Sequence, residues 1–310
     1  MIAQNIDRDL FPGFTSAIVD VADTTIFIRR SGTGPPVLLL HGFPETHVMW
    51  HRVAPLLADD FTIVCADLRG YGASGRPDSQ SDHAPYSKRS MALDMIQVMS
   101  ALGFSRFAVV GHDRGGRVAY RMAFDHPDRV ERAAVLDIIP GSEALGRADA
   151  RLALGFWPWS LLSQPAFLPE RLILGAPDAV VDNALANWGS RSSSFPPDVR
   201  DAYIKGLQDE QAVHAICEEY RAAATLDREH DDADAAAGRR ISCPLFVLWS
   251  TQGPLDLWYD GDGGPLGIWG RWAFNVTGHS LRGGHFFAEE NPEETASALR
   301  HFLMSDGSRR

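Results

Sequence analysis

Gly111-His112-Asp113-Arg114-Gly115-Gly116-Arg117 lies directly after an apolar run, Phe107 to Val110, and directly before a helical pattern from about Arg117 to Asp125. An aspartate held between glycines where a strand reverses into a helix has the shape of a nucleophile elbow, G-x-S-x-G, with Asp in the serine position. The glycines are needed because side chains there would clash with the sheet or the helix. Such a turn projects its central side chain at a helix N-terminus, where backbone N–H groups and the helix dipole stabilise negative charge. Asp113 would be held ionised and aimed. The plainer reading is a helix N-cap, a position that favours aspartate; the flanking glycines and the partners below favour the nucleophile. A carboxylate nucleophile attacks an sp3 carbon, displaces a leaving group and forms an alkyl ester. Water must then attack the ester carbonyl, and that step needs a general base and an oxyanion site.

The base is expected at His285, in Gly283-Gly284-His285-Phe286-Phe287, just before the last helical pattern. Nucleophile, acid, histidine is the chain order of this arrangement. Of the eleven histidines, His279 is the nearest rival, but it lies in an ordinary polar stretch. The orienting acid is expected at Asp137, which follows the apolar residues Val135-Leu136. An aspartate leaving an apolar strand is costly to bury without a partner. A turn-forming role before Pro140 is the plainer reading, and Asp256, Asp260 and Asp262 are the other candidates. The oxyanion donors are expected to be the backbone N–H groups of Arg114 and of Phe43, in the turn His41-Gly42-Phe43-Pro44. Arg114 and Arg117 are three residues apart and share one helix face. Guanidinium groups suit the gripping of a carboxylate through two parallel hydrogen bonds. The expected substrate is therefore a small carboxylate anion with a leaving group near its acid function. The alternative is that the arginines pair with Asp113 or with lid carboxylates.

The elements that must position these groups alternate. Thr25 to Arg29, Val37 to Leu40, Thr62 to Asp67, Phe107 to Val110 and Ala133 to Ile139 read as strands. Met91 to Leu102 carries apolar residues at helical spacing. This alternation predicts a parallel sheet with helices on both faces. From Pro140 to about Arg240 no convincing strand occurs, and Ala212 to Ala224 is the clearest helix. A strand resumes at Pro244 to Trp249, a Gly-rich loop is expected from Gly253 to Gly267, and a last helix runs from about Glu293 to Met304. The reading is an α/β core, residues 1–140 and 241–310, interrupted by a helical cap, residues 141–240, lying over the loop ends of the sheet.

Of the 310 residues, 45 % are hydrophobic and 22 % charged, ordinary for a globular protein. The net charge of -11 disfavours nucleic acid or an anionic membrane as a partner. Met1 to Leu10 shows no basic region followed by an apolar run, and no apolar stretch is long enough to cross a bilayer. Cys65, Cys217 and Cys243 form neither a close pair nor a metal-ligand pattern. A cytoplasmic protein is expected.

At these residues the chain resembles the haloacetate dehalogenases of the α/β-hydrolase superfamily, specifically the fluoroacetate dehalogenases. The resemblance runs from Phe11-Pro12-Gly13-Phe14 to the final helix. It is carried by His41-Gly42-Phe43-Pro44, by Thr46 to Pro55 and by Gly111 to Arg117. It is carried also by Ser163-Gln164-Pro165-Ala166, Leu168-Pro169-Glu170 and Cys217 to Ala222. Asp-Arg-x-x-Arg in the elbow is the most specific of these. It implies an α/β-hydrolase fold with Asp113 as nucleophile, His285 as base, Asp137 as its acid, and Arg114 and Arg117 on the substrate carboxylate. No metal or organic cofactor is implied. The family is often dimeric, which leaves a homodimer open.

In the family the lid supplies a halide pocket of His, Trp and Tyr. Trp159 and Tyr220 match the last two, but Pro158 stands where members acting on fluoroacetate carry histidine. Proline offers no donor. Losing one hydrogen bond to a departing fluoride costs about 1.5–3 kcal/mol, or roughly ten- to over a hundredfold in rate. Chloroacetate and bromoacetate are thus safer expectations than fluoroacetate. An epoxide hydrolase would use the same Asp/His machinery with two lid tyrosines, for which Tyr203 and Tyr220 are the candidates. A small-molecule receptor that kept the fold without turnover is a further alternative.

Overall fold

The computed structural model describes residues 10–305; the leader-free reading of Met1 to Leu10 falls almost wholly outside them. Eight strands form one sheet: β1 (Thr15–Asp20), β2 (Thr25–Ser31), β3 (Pro36–Leu40), β4 (Thr62–Ala66), β5 (Phe107–His112), β6 (Val130–Leu136), β7 (Leu245–Ser250) and β8 (Val276–Leu281). Their order is β1-β2-β4-β3-β5-β6-β7-β8. β1 and β2 run antiparallel to their neighbours, and β4 through β8 are parallel.

The central strands are apolar along their length because helices cover them. Leu38, Leu39, Leu40, Val109, Val110, Val135 and Leu248 are wholly buried, each side chain stabilising by about 1.5–3 kcal/mol. The two edge strands show no such run. β1 is almost entirely exposed and β8 is half exposed, so neither carries the apolar signal by which the inner strands are legible.

α1 (Lys88–Ala101) and α2 (Asp113–Asp125) follow β4 and β5. α2 begins at Asp113 itself, four residues before the sequence pattern suggests. Between β6 and β7 the described chain is helical throughout, from Gly141–Gly146 to Leu226–Ala236. Three of these helices bear on the site: α3 (Trp157–Leu162), α4 (Pro197–Gly206) and α5 (Glu210–Ala224). The chain closes with α6 (Pro292–Met304).

The expected loop from Gly253 to Gly267 is instead a chain of short turns, Leu255–Trp258, Asp260–Asp262 and Gly264–Trp269. Pro265 at a first-turn position helps start one of them. Leu255, Tyr259 and Ile268 anchor the segment in a second apolar core with Ile139 and Leu152.

Strand register determines which loops meet. Leu40 is level with Gly111, Gly111 with Val135, and Leu136 with Leu248. The turns that follow β3, β5, β6 and β7 therefore leave the sheet side by side at its carboxyl end, where open α/β sheets bind ligands.

Candidate active site

The elbow is as tight as its glycines imply. Asp113 sits at φ +42°, a left-handed conformation that costs a non-glycine residue about 1–3 kcal/mol. A Cβ on Gly111 would overlap the Gly115 carbonyl, and one on Gly115 would lie 2.6 Å from the Leu40 carbonyl. Gly115 N–H donates to His41 O at 2.8 Å, binding the helix start to the end of β3. The Asp113 carboxylate is buried at the helix N-terminus and accepts the Phe43 N–H at 3.1 Å. Burial opposes its ionisation, but His285, Arg114, His112 and Arg117 outweigh this and hold the carboxyl below its ordinary range.

Asp137 leaves β6 at φ +54°. Its Oδ2 lies 2.7 Å from His285 Nδ1, and its Oδ1 accepts the Ser250 N–H at 2.9 Å. Nδ1 is thus the ring nitrogen that Asp137 holds. The loop that carries His285 is fastened to the helical insertion: His285 N–H donates to Trp188 O at 2.8 Å. Gly284 permits this approach, because a Cβ there would overlap the backbone at Gly189 and Ser190. The rivals lie elsewhere. His279 is exposed on β8. Asp256 accepts Trp249 Nε1–H at 2.8 Å, Asp262 pairs with Arg147 and Arg271, and Asp260 is exposed.

Behind Asp113 stands a group that residue spacing does not reveal. His112 is wholly buried, its Nδ1 2.9 Å from Glu45 Oε2 and its Nε2 2.9 Å from His285 O. Both partners are acceptors, so both ring nitrogens carry protons. Burial opposes the charge, but the Glu45 carboxylate overcomes it and pushes His112 up to about 9. Glu45 also accepts the Gly42 N–H at 3.2 Å, which steadies the turn presenting Phe43. Next to it, burial and Glu45 itself push Glu289 far above the usual carboxylate range. Tyr203 O–H donates to Glu289 at 2.9 Å. Glu45 belongs to the same turn as Phe43, yet no spacing rule pairs it with a residue 67 positions later.

Arg114 and Arg117 are both buried. Arg114 Nε donates to both Glu219 oxygens at 2.9 Å, and Nη2 donates to Glu219 as well. Lys88 Nζ and Tyr71 O–H reach the same carboxylate. Arg117 Nη1 donates to Ile139 O at 3.2 Å. That leaves Arg114 Nη1 and Arg117 Nε buried without a partner among the described residues. The two guanidinium groups carry aromatic faces, Arg114 at 4.0 Å from the Tyr220 ring centre and Arg117 at 4.5 Å from that of Trp159.

Two cavities meet at Trp159. The larger, about 150 Å3, is lined by Asp113 and His285 together with Tyr220, Trp159 and Pro158. The smaller, about 20 Å3, is lined by Arg114, Arg117 and Lys88 with Asp227. Tyr203 lines neither. Trp159 and Tyr220 both line the larger cavity, and neither the indole N–H nor the phenol O–H is tied to a protein acceptor among the described residues. Among the described residues no group of His, Cys, Asp or Glu is placed to hold a metal ion, and no helix is long and apolar enough to cross a membrane.

A family model of the α/β hydrolase fold matches residues 35–262. The chain is 45 % identical to a fluoroacetate dehalogenase of Burkholderia sp over 295 residues, 95 % of each protein. It is 31 % identical to a soluble epoxide hydrolase of Corynebacterium sp. (strain C12), over 88 % of this chain and 91 % of that one. The crystal structure of an α/β hydrolase from Nostoc sp PCC 7120 superposes with a TM-score of 0.91 at 47 % identity, covering 94 % of this chain and 99 % of the other. By its fold, its aspartate elbow and these likenesses, the chain belongs to the haloacetate dehalogenase family of the α/β-hydrolase superfamily, hydrolases that act on carbon–halide bonds.

Proposed function

We propose that the protein hydrolyses haloacetates to glycolate and halide through an ester on Asp113. The observation that carries this reading is a buried carboxylate, Asp113, beside two buried guanidinium groups that each keep an unpartnered N–H. Such donors are costly to bury idle, and a substrate carboxylate would answer both. Arg114 and Arg117 hold that carboxylate and aim the α-carbon at Asp113. The Asp113 oxygen forms a bond to the α-carbon as the carbon–halogen bond breaks. Trp159 Nε1–H and Tyr220 O–H receive the halide. His285, held through Nδ1 by Asp137, takes a proton from water at Nε2. The resulting hydroxide attacks the Asp113 carbonyl carbon. The oxyanion rests on the N–H groups of Phe43 and Arg114, and collapse releases glycolate. Haloacetate and water become glycolate, halide and a proton.

In this reading the described parts of residues 1–140 and 241–310 form the catalytic core, and residues 141–240 act as the cap that supplies Trp159 and Tyr220. The three unpaired cysteines suit a cytoplasmic enzyme. Pro158 in the larger cavity favours chloride and bromide over fluoride as leaving groups. An epoxide hydrolase is the second reading, because relatives carry that name. Against it, Tyr203 is buried on Glu289, which leaves Tyr220 as the tyrosine lining the larger cavity. The test is release of halide and glycolate from chloroacetate and fluoroacetate, with Asp113→Asn as control. Chloride release that Asp113→Asn abolishes supports the proposal. Styrene oxide hydrolysis with no halide from any haloacid would replace it with the second reading.

A further inference from the structure

The larger cavity exceeds what a haloacetate needs, and its spare volume has a definite chemistry. A water in the liquid takes up about 30 Å3, so the cavity of about 150 Å3 holds on the order of five. With its carboxylate against Arg114 and Arg117, a haloacetate brings only its α-carbon and halogen into this volume, displacing about one or two waters.

The remaining space has an aromatic wall. Phe156, Trp188, Pro254 and Trp258 line it. Phe156 packs edge-on against Trp258, with ring centres 5.5 Å apart at 89°, and lies 5.9 Å from Trp159. Phe156, Trp159 and Trp258 pack against the second apolar core of Ile139, Leu152, Leu255, Tyr259 and Ile268. A densely packed backing resists collapse onto a small guest. Gly155 lets Trp258 lie close, since a Cβ there would sit 3.0 Å from the indole. Asn187 and Gln252, which also line the cavity, are exposed. Water against apolar walls finds few partners, whereas an apolar or aromatic group gains both burial and edge-to-face contacts there.

Resting on the haloacid reading above, we infer that the preferred substrates are 2-haloacids bearing an aryl or bulky alkyl group on the α-carbon, with that group packed against Phe156 and Trp258. The stereochemistry follows from the mechanism. Asp113 inverts the α-carbon once as halide leaves. Water then attacks the carbonyl carbon of Asp113, and the α-carbon is not touched again. 2-Chloro-2-phenylacetate and water give 2-hydroxy-2-phenylacetate of inverted configuration, chloride and a proton.

The test compares chloroacetate, 2-chloropropionate and each enantiomer of 2-chloro-2-phenylacetate, following chloride release and product configuration. The expected result is a KM for one phenyl enantiomer at least tenfold below that for chloroacetate, with inverted product. Gly155→Val forces the Trp258 ring toward the cavity and should lower the phenyl-to-chloroacetate ratio of kcat/KM at least tenfold; chloroacetate turnover by the variant is the control for folding. Chloroacetate turnover with the phenyl acids neither hydrolysed nor inhibitory overturns the inference and leaves the haloacid reading standing. So does a phenyl-acid KM equal to or above that of chloroacetate. Halide release from none of these acids overturns the haloacid reading itself.

Discussion

His112 and Glu45 are joined by a 2.9 Å hydrogen bond that links two turns on which the proposed chemistry depends. Glu45 steadies the turn that presents the Phe43 N–H. His112 precedes Asp113 and holds the carbonyl of His285. Replacing His112 with Gln removes a positive charge behind Asp113. Loss of a hydrogen bond involving a charged group costs about 1.5–3 kcal/mol. Steady-state halide release should fall by roughly ten- to a hundredfold, with KM little changed because neither residue lines the smaller cationic cavity.

The same pair should make stability depend on pH. The folded protein binds the His112 proton more tightly than the unfolded chain, at about 9 against an ordinary 6.5. The stabilisation is complete below pH 6.5 and vanishes as pH rises through about 9. Thermal unfolding of the wild type should shift downward across that window. In His112→Gln the decline should be clearly shallower; an identical decline in both proteins would count against an imidazolium at this position.

Replacing His285 with Gln should separate the two chemical steps. Asp113 keeps its nucleophile, so one equivalent of chloride should be released rapidly from chloroacetate. The ester should then persist, visible by mass spectrometry as a carboxymethyl group on the peptide containing Asp113. Steady turnover in this variant, with no trapped ester, would remove His285 from its proposed role.

Glu219 fixes one edge of Arg114 and receives Lys88 and Tyr71 as well. Glu219→Gln leaves buried cations short of a partner, at a cost of about 3–5 kcal/mol, measurable by urea unfolding. In the protein that remains folded, KM for haloacids should rise about tenfold, the loss expected of one misplaced hydrogen-bonding group. The effect on kcat should be smaller, since Asp113 and His285 do not touch this carboxylate.

Pro158→His places a donor on the wall of the larger cavity. Fluoroacetate turnover should increase at least tenfold relative to the wild type. Chloroacetate turnover should change much less, because chloride leaves readily without help. Fluoride-selective electrode readings on both proteins decide the point.

Local signals were strong for everything that local sterics dictate. The glycines around Asp113, the unbroken apolar runs of the inner strands and the spacing of Arg114 and Arg117 each follow from short-range geometry, so elbow, sheet interior and cationic helix start were legible from order alone. The edge strands β1 and β8 were not, because a half-exposed strand needs no apolar run. Nor was the folded segment after β7, whose glycines suggest a loop while its buried Leu255, Tyr259 and Ile268 meet residues more than a hundred positions earlier. Asp137 could be ranked above Asp256, Asp260 and Asp262 but not joined to His285, since that contact spans 148 positions and depends on β6, β7 and β8 lying side by side. The pairings of His112 with Glu45 and of Arg114 with Glu219, and the division of the site into an aromatic and a cationic cavity, arise from elements distant in the chain. Sequence by itself determined which groups are present and how each is presented by its own turn. Only the tertiary structure decided which charges face each other, because that depends on strand order and on how the helical insertion packs over the sheet.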